Sequence, residues 1–333
     1  MGRRRAAAVG LVAATMLAFT GMTAASSIAG AHLPAAVARA EASVPSGLVF
    51  DSLVRSLLES RAEAAAVAET KPPPPAPKVL PRGKGMWMWQ SALSDGGNVD
   101  AIVSRARHVG LTHIYVRTGS ETDGFYSGDF LNRILPAAHK AGIAVFGWDF
   151  PHLVDPGRDV YRAMAAITYT TPDGHRIDGF SADIETESEG THISPEGATA
   201  YGQALRQAVG PDYTLIATVP RPSPARAAFP YPQVVAPFDA VAPMVYWLNR
   251  EPGIDVLGAL RDLAPLGKPV FPVGQSYDGG PEGGRPGVPP PAELNRFMQV
   301  AHDNGAVGVS FWSWQAADQA AWDTIKDARL FDH

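Results

Sequence analysis

Eight short apolar runs, most of them followed by a helical pattern, constrain this chain more than any other feature. They lie at Gly85–Gln90, His113–Arg117, Ala144–Asp149, Gly179–Glu185, Thr214–Val219, Ala240–Trp247, Val270–Gln275 and Val307–Trp314. Together they are rich in Val, Ile, Phe, Tyr and Trp and poor in charge, as strands buried on both faces are. Helical periodicity fills the intervals at Val99–Val109, Phe130–Ala141, Asp159–Ile167, Pro195–Val209, Ile254–Leu263 and Ala292–Asp303, and Ala317–Arg329 closes the chain. Pro220–Phe238 is too proline-rich for more than a short helix, placed near Ala225–Ala228. Strand–helix alternation implies a parallel sheet. From Gly85 onward there are about 250 residues, the usual length of a (β/α)₈ TIM barrel. The alternative is an open doubly wound sheet. Eight strands in sequence, with no glycine-rich phosphate loop after the first, favour the closed barrel.

A small repeat supports the same reading. Ala106-x-x-x-Gly110, Ala138-x-x-x-Gly142 and Ala301-x-x-x-Gly305 each stand just before a strand run. Glycine suits the left-handed residue that ends a helix. Leu266-Gly267-Lys268-Pro269 closes another helical segment in a similar way, and Ser194 before Pro195 marks a helix start.

The N-terminus reads as a targeting segment. Arg3-Arg4-Arg5 precedes an apolar stretch from Ala6 to Met22, with A-x-A sites at Ala29-Gly30-Ala31 and Ala38-Arg39-Ala40. A signal peptide over residues 1–31, or 1–40 with the later cut, implies a secreted or envelope-associated product. The uncharged stretch Ala6–Ala31 serves instead as an anchor if it is not cut. Residues 41–70 form a helical stalk candidate, with Val54, Leu57, Leu58 and Ala65 at helical spacing. Residues 71–83 carry Pro72-Pro73-Pro74-Pro75 and read as a semi-rigid spacer. The barrel domain is then 84–333.

Composition removes several chemistries. The chain has 333 residues, a net charge of −5 and no cysteine. Disulfides, thiolate metal sites and a cysteine nucleophile are excluded. Negative charge with no basic run beyond the N-terminus argues against nucleic acid as a partner. The nine histidines show no H-x-x-x-H spacing, so no metal is expected. No dinucleotide or phosphate-loop fingerprint is present, so no cofactor is expected. Gly274-Gln275-Ser276-Tyr277-Asp278 lacks the closing glycine and the following helix of a nucleophile elbow.

In such a barrel the chemistry sits at the C-terminal ends of the strands. That rule selects Trp87, Trp89, Gln90, Arg117, Trp148, Asp149, His152, Asp183, Glu185, Tyr246, Trp247, Gln275, Tyr277, Asp278, Trp312, Trp314 and Gln315. In the fourth run, alternation puts Ser181, Asp183 and Glu185 on one face and Phe180, Ala182 and Ile184 on the other. The two acids have Cα atoms about 6.6 Å apart in an extended strand. Their repulsion raises one pKa, and a carboxyl that releases its proton near neutrality is what glycoside cleavage needs. The plain alternative is that both acids merely cap a strand where it meets solvent. Aromatic planes match the C–H faces of sugars, while acids and amides match their hydroxyls. The set therefore points to a polysaccharide or oligosaccharide partner.

The fourth run, Asp178-Gly179-Phe180-Ser181-Ala182-Asp183-Ile184-Glu185, resembles the D-G-x-D-x-D-x-E motif of glycoside hydrolase family 18, the chitinase-type barrels, with Ser181 in place of the outermost aspartate. The resemblance implies that Glu185 is the proton donor and that Asp183 supports a substrate acetamido group. Met244-Val245-Tyr246 is similar to the family's M-x-Y, with Trp247 where an aspartate is usual. Trp312 or Trp314 matches the tryptophan beneath the sugar. The strand-three S-x-G-G signature is replaced by Phe146-Gly147-Trp148-Asp149. The expected catalytic residues are Glu185 and Asp183. The expected substrate contacts are Tyr246, Trp247, Trp314, Trp312, Trp89, Asp149, Arg117, Gln275 and Asp278. In a route without substrate assistance, Asp278 or Asp149 is the facing nucleophile or base. The expected function is an exported hydrolase that cuts O-glycosidic bonds of an N-acetylated or cell-wall glycan. A barrel that binds glycan without cleaving it, and a scaffold acting through residues 41–70, are the alternatives.

Overall fold

The computed structural model describes residues 78–331. The signal segment, the 41–70 stalk and most of the proline-rich spacer lie outside the described residues. β1 (Gly83–Met88) leads through a 3₁₀ turn to α1 (Val99–Val109). β2 (His113–Arg117) is followed by a small hairpin of β3 (Gly119–Ser120) and β4 (Gly124–Phe125), then α2 (Gly128–Lys140). Next come β5 (Ala144–Asp149), α3 (Pro156–Thr168), β6 (Gly179–Asp183), α4 (Pro195–Val209) and β7 (Leu215–Pro220). α5 (Tyr231–Val235), β8 (Ala240–Val245), α6 (Pro252–Leu263), β9 (Val273–Gln275), α7 (Pro291–Asp303), β10 (Gly308–Trp312) and α8 (Gln319–Asp327) complete the order.

Eight strands close in the order β1-β10-β9-β8-β7-β6-β5-β2, and every pair is parallel. The chain is a (β/α)₈ TIM barrel. One unit differs from expectation. The segment after β7 forms only a 3₁₀ turn at Pro224–Arg226, and its helix comes later, as α5. Proline fits there because it lies in the first turn, where its missing N–H costs no helical bond.

The Ala-x-x-x-Gly repeat has a physical basis. Gly110, Gly142 and Gly305 have φ of 73°, 73° and 88°. The residue after each glycine reaches back to the repeat's alanine: Leu111 to Ala106 at 2.8 Å, Ile143 to Ala138 at 2.9 Å, Ala306 to Ala301 at 3.0 Å. The glycine N–H itself bonds the carbonyl one residue beyond the alanine at 3.0–3.1 Å. This is the Schellman pair of bonds, which satisfies carbonyls that a helix end leaves open. It also turns the chain straight into the next strand.

Two apolar layers result. The outer one lies between strands and helices and holds Phe180, Ala182, Ile184, Val245, Phe297 and Phe311 among others. The inner one fills the cylinder with rings. Trp87 stacks on Tyr115 with centroids 3.9 Å apart, and Tyr115 stacks on Phe146 at 5.3 Å. Trp148 meets Trp87 edge-on at 5.7 Å. Space for His113 beside this column exists because position 85 is glycine. A Cβ there would come within 2.0 Å of the imidazole.

Candidate active site

β6 decides where the acids point. Phe180, Ala182 and Ile184 are fully buried in the outer layer, so Ser181, Asp183 and Glu185 face the cylinder axis. The ladder runs one residue beyond the strand, where the Ile184 N–H donates to the Thr218 carbonyl at 2.8 Å. That keeps the alternation through to Glu185. Ser181, at the outermost motif position, shares a hydrogen bond with Thr218, Oγ to Oγ1 at 2.8 Å.

Asp183 is 8% exposed, and its Oδ1 has no hydrogen-bond partner. Burial pushes its carboxyl up to about 7; the Arg117 charge draws it back, while Glu189 and Asp149 add to the rise. Glu185 is half-buried. Burial first, then the Asp183 charge, then the charge and hydrogen bond of Glu189 hold its carboxyl well above the usual range, against the pull of Arg226. Two adjacent acids that keep protons toward neutral pH are suited to proton transfer.

The loop after β6 fixes Glu185. Its N–H donates to Thr191 Oγ1 at 3.2 Å, and that hydroxyl donates to the Pro151 carbonyl at 3.3 Å. The His192 N–H donates to the His152 carbonyl at 2.7 Å. The loops after β5 and β6 are thereby tied together. Thr186-Glu187-Ser188-Glu189 forms a capping box: the Thr186 N–H and Oγ1–H donate to Glu189 Oε2 at 3.3 and 2.6 Å. Glu189 was missing from the sequence-derived set, and the T-x-x-E spacing was the signal that marks it. Arg226, in the 3₁₀ turn after β7, was missing too, because its proline-rich segment carries no periodicity.

Aromatic groups flank the acids. Tyr246 meets Tyr277 edge-on at 5.5 Å, and the Tyr277 hydroxyl donates to Glu282 at 2.7 Å. Burial first, then the charges of Tyr277, Asp183 and Glu185, hold the Tyr246 phenol well above its ordinary range. Those groups therefore share one electrostatic neighbourhood. Trp312 packs edge-on to Trp148 at 5.4 Å, and Trp89 lies against the same inner cluster. The Arg117 guanidinium sits 5.4 Å from the Trp148 ring centre.

The structure gives five of the expected substrate contacts other packing or hydrogen-bond partners. Trp247 is fully buried in the outer layer; its Nε1–H donates to Glu293 at 2.9 Å and its ring lies 5.5 Å from Phe297. Trp314 is also in the outer layer, donating to Asp95 at 3.1 Å and packing on Trp322 at 4.9 Å. Gln275 is buried with both ends engaged. It accepts from the Leu248 N–H at 2.8 Å and donates to the Tyr277 carbonyl at 3.2 Å. Asp278 Oδ1 holds its own loop through the N–H groups of Gly280 and Gly287 at 2.8 and 2.7 Å. Asp149 is buried against Arg162 at 2.5 Å. Neither Asp149 nor Asp278 stands free as a facing nucleophile. Two surface hollows, between α1 and α2 and between α4 and α5, lie in outer helical grooves away from these strand ends.

The fold and the paired acids define a (β/α)₈ barrel with a carboxylate site at one mouth. No family model matches the chain, and no curated protein matches it. Among solved structures it is similar to a glycoside hydrolase family 18 N-acetylglucosaminidase from Paenibacillus barengoltzii, with TM-score 0.53 and 13% identity over 74% of this chain and 99% of that one. It is similar to the spore cortex-lytic enzyme SleL of Bacillus cereus, with TM-score 0.52 and 12% identity over 73% of each chain. It is also similar to an endo-1,4-beta-mannanase from Rhizomucor miehei, with TM-score 0.52 and 10% identity over 70% of this chain and 86% of that one. At these identities the likeness is one of fold.

Asp183→Asn is expected to stabilise the protein at pH 8 far more than at pH 4. Below the ordinary carboxyl value of 3.8 the folded and unfolded chains both carry this proton. As pH rises toward about 7 the unfolded chain loses a proton that the folded chain keeps, so wild-type stability falls. Above that, the full penalty remains, at most about 4 kcal/mol. Asparagine removes it. Thermal melts at both pH values measure the effect, and an equal change in Tm at each would contradict it.

Proposed function

We propose that this chain is an exported glycoside hydrolase that cleaves O-glycosidic bonds of a polysaccharide, an N-acetylated or cell-wall glycan, with Glu185 as general acid. The observation that carries the reading is the axial Asp183–Glu185 pair, both carboxyls held above their ordinary range beside Tyr246. Glu185 protonates the glycosidic oxygen as the C1–O bond breaks. The acetamido oxygen of the same sugar attacks C1, while Asp183 holds the acetamido N–H. Water then adds at C1 as the bond from C1 to the acetamido oxygen breaks, gives a proton to Glu185 and so frees the sugar. Substrate assistance suits this mouth, because Asp149 and Asp278 are engaged elsewhere. Trp312 and Tyr246 offer ring faces and a phenol to the sugar. Export is proposed on Arg3-Arg4-Arg5 and the apolar stretch behind it, with residues 41–70 as a tether to the envelope.

The test is release of reducing ends by the full chain from chitin oligosaccharides, peptidoglycan and β-mannan. Release from an N-acetylated substrate supports the proposal. Binding without release means a non-cleaving glycan barrel, and neither binding nor release ends the reading.

A further inference from the structure

The rim of the mouth on the side of β7 and β8 gathers three arginines. Arg221 directly follows β7, Arg226 lies in the 3₁₀ turn after it, and Arg250 follows β8. Asp255, buried in the first turn of α6, serves two of them. Its Oδ1 lies 3.5 Å from Arg221, and its Oδ2 accepts from Arg250 at 2.7 Å. Arg226 has no carboxylate partner among the described residues. One of its N–H groups reaches the Arg221 carbonyl at 3.4 Å, and the others bond nothing there. Other acids on this side do not make up the difference. Glu251 is taken by Arg296 at 2.9 Å, and Asp262 lies about two turns further along α6, away from the mouth. Three guanidiniums therefore share one carboxylate, in a chain whose net charge is −5. The crowding shows in Arg221. Burial first, then the charges of Arg250 and Arg226, hold its guanidinium below the ordinary range, against the pull of Asp255.

This patch adjoins the groups assigned to the sugar. Arg250 Nη2 donates to the Tyr246 carbonyl at 2.6 Å. β7, which leads into Arg221, is the ladder neighbour of β6, which leads into Glu185. The Arg226 charge also acts on Glu185. A planar guanidinium with N–H groups to spare matches two oxygens of a carboxylate or a phosphate. We propose that Arg226, backed by Arg221, binds an anionic oxygen group, a carboxylate or a phosphate, carried by the glycan that enters this mouth. The substrate class is then an acidic polysaccharide, not a neutral one such as β-mannan. This rests on the reading of the mouth as a glycan site, and not on cleavage there.

Calorimetric titration of the full chain, in a Glu185→Gln background so that no linkage is cut, tests this without requiring turnover. Three N-acetylated oligosaccharides of one length are compared: one bearing a carboxylate, its neutral methyl ester, and one bearing a phosphate. An acidic form is expected to bind about 10-fold or more tightly than the ester, the worth of a charge-assisted pair. The tighter of the two acidic forms identifies the group. Adding Arg226→Gln is expected to bring that ratio down to about one. Arg226→Lys keeps the charge but not the fork, and is expected to retain part of the ratio. Raised salt is expected to narrow it. Equal affinity for acidic and neutral forms overturns the proposal, and so does a ratio that survives Arg226→Gln. A ratio that is lost in Arg226→Gln, when the unmutated chain cleaves no glycan, leaves the acidic-glycan site standing and removes the hydrolase reading. Cleavage with no acidic preference does the reverse.

Discussion

Glu185→Gln is expected to lower kcat on an unactivated oligosaccharide by about 10²–10⁴-fold, the usual worth of a positioned proton donor. The folded chain already favours the protonated form of Glu185, through burial and the neighbouring charge of Asp183. A glutamine is close in shape to that neutral acid, so the melting temperature should stay the same or rise. The loss should shrink on a substrate with a nitrophenol leaving group, which departs without being protonated. Parallel kcat measurements on the two substrates read this difference. Full turnover of the natural linkage by the variant would remove Glu185 from the chemistry.

Arg162→Leu is expected to destabilise the fold by about 3–5 kcal/mol, the cost of leaving a buried carboxylate without its partner. The Arg162 side chain is 7% exposed. It bonds Asp149 at 2.5 Å, Asp159 at 2.7 Å and the Phe150 carbonyl at 3.1 Å. Asp159 in turn accepts from the Leu153 N–H at 2.8 Å. One guanidinium thus fastens the end of β5 and its loop to α3. Burial already pushes the Asp149 carboxyl up, and Arg162 is the main counterweight. Without Arg162 the Asp149 value climbs further, so the variant's deficit is full at high pH and shrinks as acid protonates Asp149. Urea denaturation at pH 8 and pH 5 measures both effects. A deficit under about 1 kcal/mol, or one that grows toward acid, would contradict the account.

Strand count, closure and the inward face of β6 were legible because they depend on period-two alternation and on short apolar runs. Alternation also explains where the reading of the site stopped. Tyr246 and Trp247 are neighbours, so only one of them can face the axis, and the buried contact of Trp247 with Phe297 takes the other side. Trp312 and Trp314 have the same parity, but β10 ends at Trp312 and the rule ends with it. Gln275 and Asp278 look chemically apt, yet each is committed to backbone amides of loops whose shape no local pattern reveals. Glu189 was hidden for the opposite reason. Its T-x-x-E spacing reads as ordinary helix punctuation, and only the fold brings its charge into the acid's surroundings.

The column of rings from Trp87 through Tyr115 to Phe146 stoppers the cylinder. Traffic is therefore one-sided: whatever enters must leave by the same door.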